Sequence, residues 1–163
     1  MQQHHKTPRI ARTNMTDNEK IEEAVRLVNE GMKVTLAVRG NSMLPFIIGG
    51  RDSVVLEKPE GISEGDIVLA WCDSNYYVIH RIINIDDNKV ILMGDGNVIG
   101  KEHCLLSDVK AKATHVVRGN GKPPKPLYTK RMRLMTKLWK TAIPVRRYIL
   151  FVIRIITSEK YKL

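Results

Sequence analysis

Across residues 33–118 the apolar side chains recur with a period of two, in short β-branched runs separated by turn residues. A helix needs an apolar repeat near 3.6, so this pattern buries one face only if the chain is pleated into strands. Six strands are predicted, at 34–38, 53–57, 67–71, 76–84, 89–93 and 109–118. The turns between them hold Gly49-Gly50, Pro59-Glu60-Gly61, Gly65-Asp66, Asp73-Ser74-Asn75, Asp86-Asp87-Asn88 and Gly94-Asp95-Gly96, the residues that tolerate tight or left-handed backbone. The expected fold is mainly β: an antiparallel β domain over 33–118 with a short helix before it and a basic helical tail after it.

The flanks read differently. Residues 1–16 are polar and basic without an apolar run, which predicts a flexible leader and no cleavable secretory signal. The pair His4-His5 is too short to be a metal site by itself. Thr16 or Asp17 can cap a helix over 17–32, with Ile21, Ala24, Val25, Leu27 and Val28 on its apolar face and Gly31 as its stop. Residues 119–126, with two glycines and three prolines, read as a linker. Beyond it, residues 122–163 carry twelve Lys and Arg against one acid, Glu159, while the other residues hold 15 basic and 16 acidic side chains. The net charge of +10 therefore resides in the tail, and a basic excess confined to one segment points to an anionic partner for that segment. Within 127–163, Leu134, Leu138, Ala142 and Val145 have helical spacing, Pro144 would split the helix, and the apolar run 148–156 is bracketed by Arg146, Arg147 and Arg154. That run is about half of the ~20 residues a bilayer-crossing helix needs. It predicts a surface-lying amphipathic segment, with 127–157 facing an anionic membrane surface from the cytoplasmic side and nucleic acid not expected as a partner. Two cysteines, Cys72 and Cys104, make no disulfide framework.

Three side chains of complementary chemistry occur in order. Ser42 sits in Gly40-Asn41-Ser42-Met43-Leu44-Pro45, where glycine permits a sharp turn and proline fixes the exit, so that a hydroxyl is lifted clear and backbone N–H groups can face a developing oxyanion. His80 lies mid-strand, sharing a face with Val78 and Ile82; partial burial would favour the neutral imidazole that a general base requires. Asp95 lies in Gly94-Asp95-Gly96-Asn97 at a strand end, where a carboxylate could orient an imidazole. A hydroxyl needs such a base to become a nucleophile at neutral pH. Each residue also has a plain reading, as turn serine, core histidine and turn aspartate.

Taken together and in order, these boxes resemble the signal peptidase I superfamily of serine peptidases: Gly-x-Ser-Met-x-Pro at 40–45, Gly-Asp-Ile-Val at 65–68, His80-Arg81-Ile82, and Gly-Asp-x-Asn at 94–97. A histidine in place of the usual lysine base is similar to the archaeal and endoplasmic-reticulum branch. The resemblance implies a coiled β catalytic domain without cofactor or metal. It also implies a peptide or protein substrate, Ser42 as nucleophile and backbone oxyanion donor, His80 as base and Asp95 as orienting acid. Gly40, Met43, Pro45, Arg81, Gly94 and Asn97 would support the site. The chain departs from that pattern in having no apolar helix ahead of Ser42, Gly40 where some members carry a serine, and Lys101-Glu102 where others carry an aspartate. Three alternatives stand beside the peptidase reading. One is a self-cleaving repressor-type regulator, for which about 30 residues ahead of the β domain are few. Another is a non-catalytic peptide- or membrane-binding module. The third is a zinc site from Cys72, His80, His103 and Cys104, whose spacing fits no known zinc pattern.

Overall fold

The computed structural model describes residues 16–119, 121–141 and 143–161; the leader before residue 16 and the His4-His5 pair lie outside them. Helix α1 (Asp17–Asn29) opens the described chain. Its N-cap is Thr16, whose side chain accepts from the Glu19 N–H while the Glu19 carboxylate accepts from the Thr16 N–H, a reciprocal arrangement that satisfies two donors a helix start otherwise leaves open. Ala24 and Val28 are buried, and Ile21 and Val25 pack beside them on the sheet.

Eight strands follow: β1 (Val34–Ala37), β2 (Asp52–Glu57), β3 (Ile67–Trp71), β4 (Tyr77–Asp86), β5 (Lys89–Met93), β6 (Glu102–Leu105), β7 (Val109–Arg118) and β8 (Lys125–Pro126). They form one antiparallel sheet in the order β1-β2-β7-β3-β4-β5-β6, with β8 paired to β7. The register slips between Val55 and Leu56, between Leu69 and Ala70, and between Ile82 and Asn84. Each such irregularity bends its strand and deepens the local twist, so the sheet curls and encloses apolar side chains on both faces. Strand β3 shows the result: Ile67 and Leu69 join a cluster with Val28, Met43, Phe46, Ile47 and Val54, while Val68 and Ala70 join a second with Val78, Ile82, Leu92 and Cys104. The mainly β architecture with terminal helices is the expected one.

Two strands differ from the expectation. Glu102–Leu105 forms β6, although its four residues carry too few apolar positions to show a period. Pro126, read as part of a linker, pairs with β7; it can do so because it lies at an edge, where its missing N–H leaves no ladder bond open. The next residues are anchored too. Leu127 is 3% exposed within the first cluster. The Tyr128 hydroxyl donates to the Ala113 carbonyl at 2.6 Å and accepts the Ile67 N–H at 3.0 Å, and burial pushes its pKa up to about 12. Helices α2 (Lys130–Thr141) and α3 (Ile143–Tyr161) follow among the described residues. Pro144 falls in the first turn of α3, where a missing N–H costs nothing.

Candidate active site

The loop from 38 to 51 carries Ser42 between β1 and β2. Gly40 has φ +74°, a conformation that side chains resist, and a Cβ on Gly49 would lie 2.2 Å from the Gly40 carbonyl oxygen. Met43, Leu44, Phe46 and Ile47 are buried, so the exit of the turn is nailed into the core while Ser42 stays partly exposed. Pro45 is partly buried within the same turn.

The Gly94-Asp95-Gly96-Asn97 turn packs flush against this loop. The Gly96 N–H donates to the Ser42 carbonyl at 2.7 Å, and the Asn97 N–H closes the turn on the Gly94 carbonyl at 3.0 Å. A Cβ on Gly94 would sit 2.3 Å from the Ser42 carbonyl oxygen, and one on Gly96 would sit 2.4 Å from that of Asn41. The two glycines are required by this backbone-to-backbone approach, which fixes the height of the Ser42 turn.

Ser42, His80 and Asn97 line one cavity of about 850 Å³. Its other walls include Ile21, Ala24 and Leu27 of α1, Val34–Ala37 of β1, Tyr76 to Ile79, and Glu102. His80 is 6% exposed. Burial lowers its pKa below the ordinary imidazole value, against the opposing negative charges of Glu102 and Asp95, so the ring is neutral near pH 7. Among the described residues its Nδ1 is buried without a hydrogen-bond partner.

The contact expected of Asp95 is not made. Both carboxylate oxygens are taken by Arg81, Nε to Oδ1 at 2.8 Å and Nη2 to Oδ2 at 2.6 Å. The physical reason lies in strand alternation and guanidinium chemistry: Arg81 follows His80 and points to the opposite face. Its planar fork, always charged, matches a carboxylate in a bidentate pair better than an imidazole edge does. Arg81 also donates to the Gly65 carbonyl at 2.6 Å and lies 5.9 Å from the Phe46 ring centroid. The pair ties β4, the β2–β3 connection and the Gly-Asp-Gly turn together beneath Ser42.

Two sets of residues near the site were not read from the sequence as site residues. Glu102 was noted only as a departure from the family pattern. It lines the cavity, and its carboxylate is held by the Tyr76 hydroxyl at 2.7 Å and the Ser74 hydroxyl at 3.1 Å. The tail supplies the other set. Trp139 Nε1 donates to the Asp95 carbonyl at 2.8 Å, Arg146 donates to the same oxygen, and Arg154 Nη2 donates to the Gly96 carbonyl at 3.0 Å. The zinc alternative finds no support: Cys72 and Cys104 are free, buried thiols hydrogen-bonded to each other, and among the described residues no three His, Cys, Asp or Glu are grouped to hold a metal.

Residues 6–115 match the family described as Peptidase S24-like. The chain belongs to that family. It is also 30% identical over 82 residues to a LexA repressor from Petrotoga mobilis (strain DSM 10674 / SJ95), a match covering 50% of this chain and 37% of that protein. The coarse expectation, a serine-peptidase-like β domain, stands. The finer one is corrected: the match is to an S24-like family and a LexA repressor, and the signal-peptidase assignment does not carry over. No helix among the described residues is long and apolar enough to cross a membrane.

Proposed function

We propose that this S24-like chain is a serine peptidase that works with a Ser42–His80 dyad and cleaves its own polypeptide or that of a second copy, as a repressor-type regulator. The observation that carries the chemistry is the shared cavity: a partly exposed serine and a buried histidine, whose burial favours the neutral ring, both line it. His80 would take the Ser42 hydroxyl proton as the oxygen attacks a peptide carbonyl. The Ser42 N–H would stabilise the oxyanion, and His80 would return the proton to the leaving amine; water then releases the acyl group by the reverse sequence. With Asp95 committed to Arg81, the imidazolium is stabilised by the field of Glu102 and Asp95 rather than by a hydrogen-bonded third member.

The regulator reading, an alternative at the level of sequence, now leads, because the relative is a LexA repressor. That relative also removes the ground for excluding nucleic acid as a partner. The matched stretch spans little more than a third of it, so DNA binding by this chain is part of the proposal. A second observation supports cleavage in cis: Asp17 and Lys20, in the first turn of α1, line the cavity, so the chain's own α1 borders the cleft.

The test is incubation of purified chain at pH 7 to 9, with fragments read by intact mass and Ser42 labelled by a fluorophosphonate. Ser42→Ala should leave the melting temperature unchanged and abolish both label and fragments, a loss of at least about 10⁴-fold. A concentration-independent rate would mark cleavage in cis. Equal fragmentation by Ser42→Ala refutes the peptidase reading, and labelling without self-cleavage refutes the regulator reading alone.

A further inference from the structure

Sixteen large apolar side chains are exposed among the described residues, and ten of them lie on α2 and α3. On α3 they recur at Tyr148, Val152 and Ile156 (59, 53 and 59% exposed), flanked by Val145, Ile149 and Phe151, the last 65% exposed. On α2, Leu134 and Leu138 are 59% and 61% exposed. Spacings of three and four put these side chains in stripes along the outer surface of each helix. The opposite surface is spoken for by Trp139, Arg146 and Arg154 on the Gly94–Gly96 carbonyls and by Leu150, 1% exposed.

Charge accompanies the stripes. Arg131, Arg133, Lys137 and Arg147 are exposed, and no ion pair joins any of them to a carboxylate among the described residues. Arg147 lies 4.7 Å from the Tyr148 ring centroid and donates to its hydroxyl at 2.6 Å, an amphipathic pairing suited to a water–apolar boundary.

We propose that the outer surface of α2 and α3 docks on an anionic lipid bilayer, basic side chains among the headgroups and the Tyr148–Ile156 stripe in the outer acyl region. A bilayer offers negative charge and apolar depth in one plane, which is what this surface matches. A second copy would set the exposed Arg131, Arg133, Lys137 and Arg147 of one tail against the same four of the other. Nucleic acid would answer the charge but leave Leu138, Phe151, Val152 and Ile156 against a phosphate backbone with nothing apolar to meet. Because the inner surface of the same helices holds the 94–96 turn, docking would set the cleft at a fixed height above the lipid. The proposal does not depend on Ser42 being a nucleophile.

The full chain is sedimented with large unilamellar vesicles of phosphatidylcholine, either pure or with 30% phosphatidylglycerol. Binding at least tenfold tighter to the anionic vesicles is expected, weakening from 50 to 500 mM salt. Phe151→Glu/Ile156→Glu should lower it at least tenfold with the melting temperature unchanged. Val152→Ser, a milder change, should lower it measurably if the double variant is unstable. Arg131→Glu/Lys137→Glu should remove the preference for anionic lipid. No sedimentation of the wild-type chain with either vesicle overturns the proposal, and so does binding that none of these variants weakens. A concentration-dependent dimer that Phe151→Glu/Ile156→Glu dissolves assigns the surface to a second copy. Duplex-DNA binding lost with Arg131→Glu/Lys137→Glu, in a chain that ignores vesicles, assigns it to nucleic acid.

Discussion

Replacing Asp95 by Asn separates two roles that a carboxylate beside a histidine can have. In the structure Asp95 and Arg81 side chains are 5% and 6% exposed and share two hydrogen bonds. Asn keeps the shape but removes the charge and turns an amide N–H₂ toward a guanidinium that has only donors. Breaking one partner of a buried pair costs about 3–5 kcal/mol, because the survivor is left charged and unmatched. For a chain of this size that corresponds to a fall of about 10–15 °C in melting temperature. The backbone bonds of Trp139 and Arg146 to the Asp95 carbonyl do not depend on the side chain, so the turn keeps its outer support.

Chemical denaturation gives the stability, and the fluorophosphonate labelling rate of Ser42, measured below the unfolding transition, gives the activity. Loss of stability with at most about tenfold loss of labelling is expected, since Asp95 acts on His80 only through its field. Arg81→Met should cost a similar amount, and the double variant should recover part of it, with a coupling of about 2 kcal/mol or more. The opposite result refutes the assignment: a near-normal melting temperature with labelling reduced ~10⁴-fold is what loss of a true orienting aspartate does in a serine triad.

Burial holds the His80 pKa below about 6.5, so labelling should rise with pH through a midpoint beneath that value and be flat above it; a midpoint above 7 contradicts a buried neutral base. The same depression means the unfolded chain binds this proton more readily than the folded one, so stability should fall as pH drops from about 6.5 through the folded midpoint, and His80→Gln should flatten that part of the curve. Gly94→Ala puts a methyl 2.3 Å from the Ser42 carbonyl oxygen and should cost about 2–4 kcal/mol from overpacking and strain on the Gly96–Ser42 bond, with labelling lost. Gly61→Ala, at φ +57° with open space around it, should cost only about 1–2 kcal/mol and label normally.

The sheet was legible because strands in a curled sheet carry recurring apolar positions, and among the described residues six of the eight strands hold enough of them to be read. Strand β6 does not: Glu102, His103, Cys104 and Leu105 give one buried residue in four. Strand β8 was hidden by Pro126, whose chemistry forbids a central strand but not an edge. At the site, residue types and order were visible while partners were not. Alternation alone sends His80 and Arg81 to opposite faces, so the sequence already held the reason why a carboxylate reaching Arg81 does not also reach His80. The bonds of Trp139, Arg146 and Arg154 to residues 95 and 96 span 44 to 58 positions, and no local pattern announces contacts of that range.

Those long contacts change what the tail is. A linker over 119–126 would make the tail beyond it separable by a cut near Gly121. Such a cut would also remove Leu127 from the core, worth about 1.5–3 kcal/mol, and the two Tyr128 bonds that join β3 to β7, worth about 1 kcal/mol each. It would bare the outer side of the turn whose inner side sets Ser42. The turn at 94–96 is thus gripped from two directions, by the Ser42 loop through the Gly96 N–H and by three tail side chains through its carbonyls. Whatever the outer surface of α2 and α3 binds, its effect reaches the Ser42 turn through one layer of side chains. Substitutions on the exposed stripe, which leave that layer in place, are therefore the perturbation that isolates binding from catalysis.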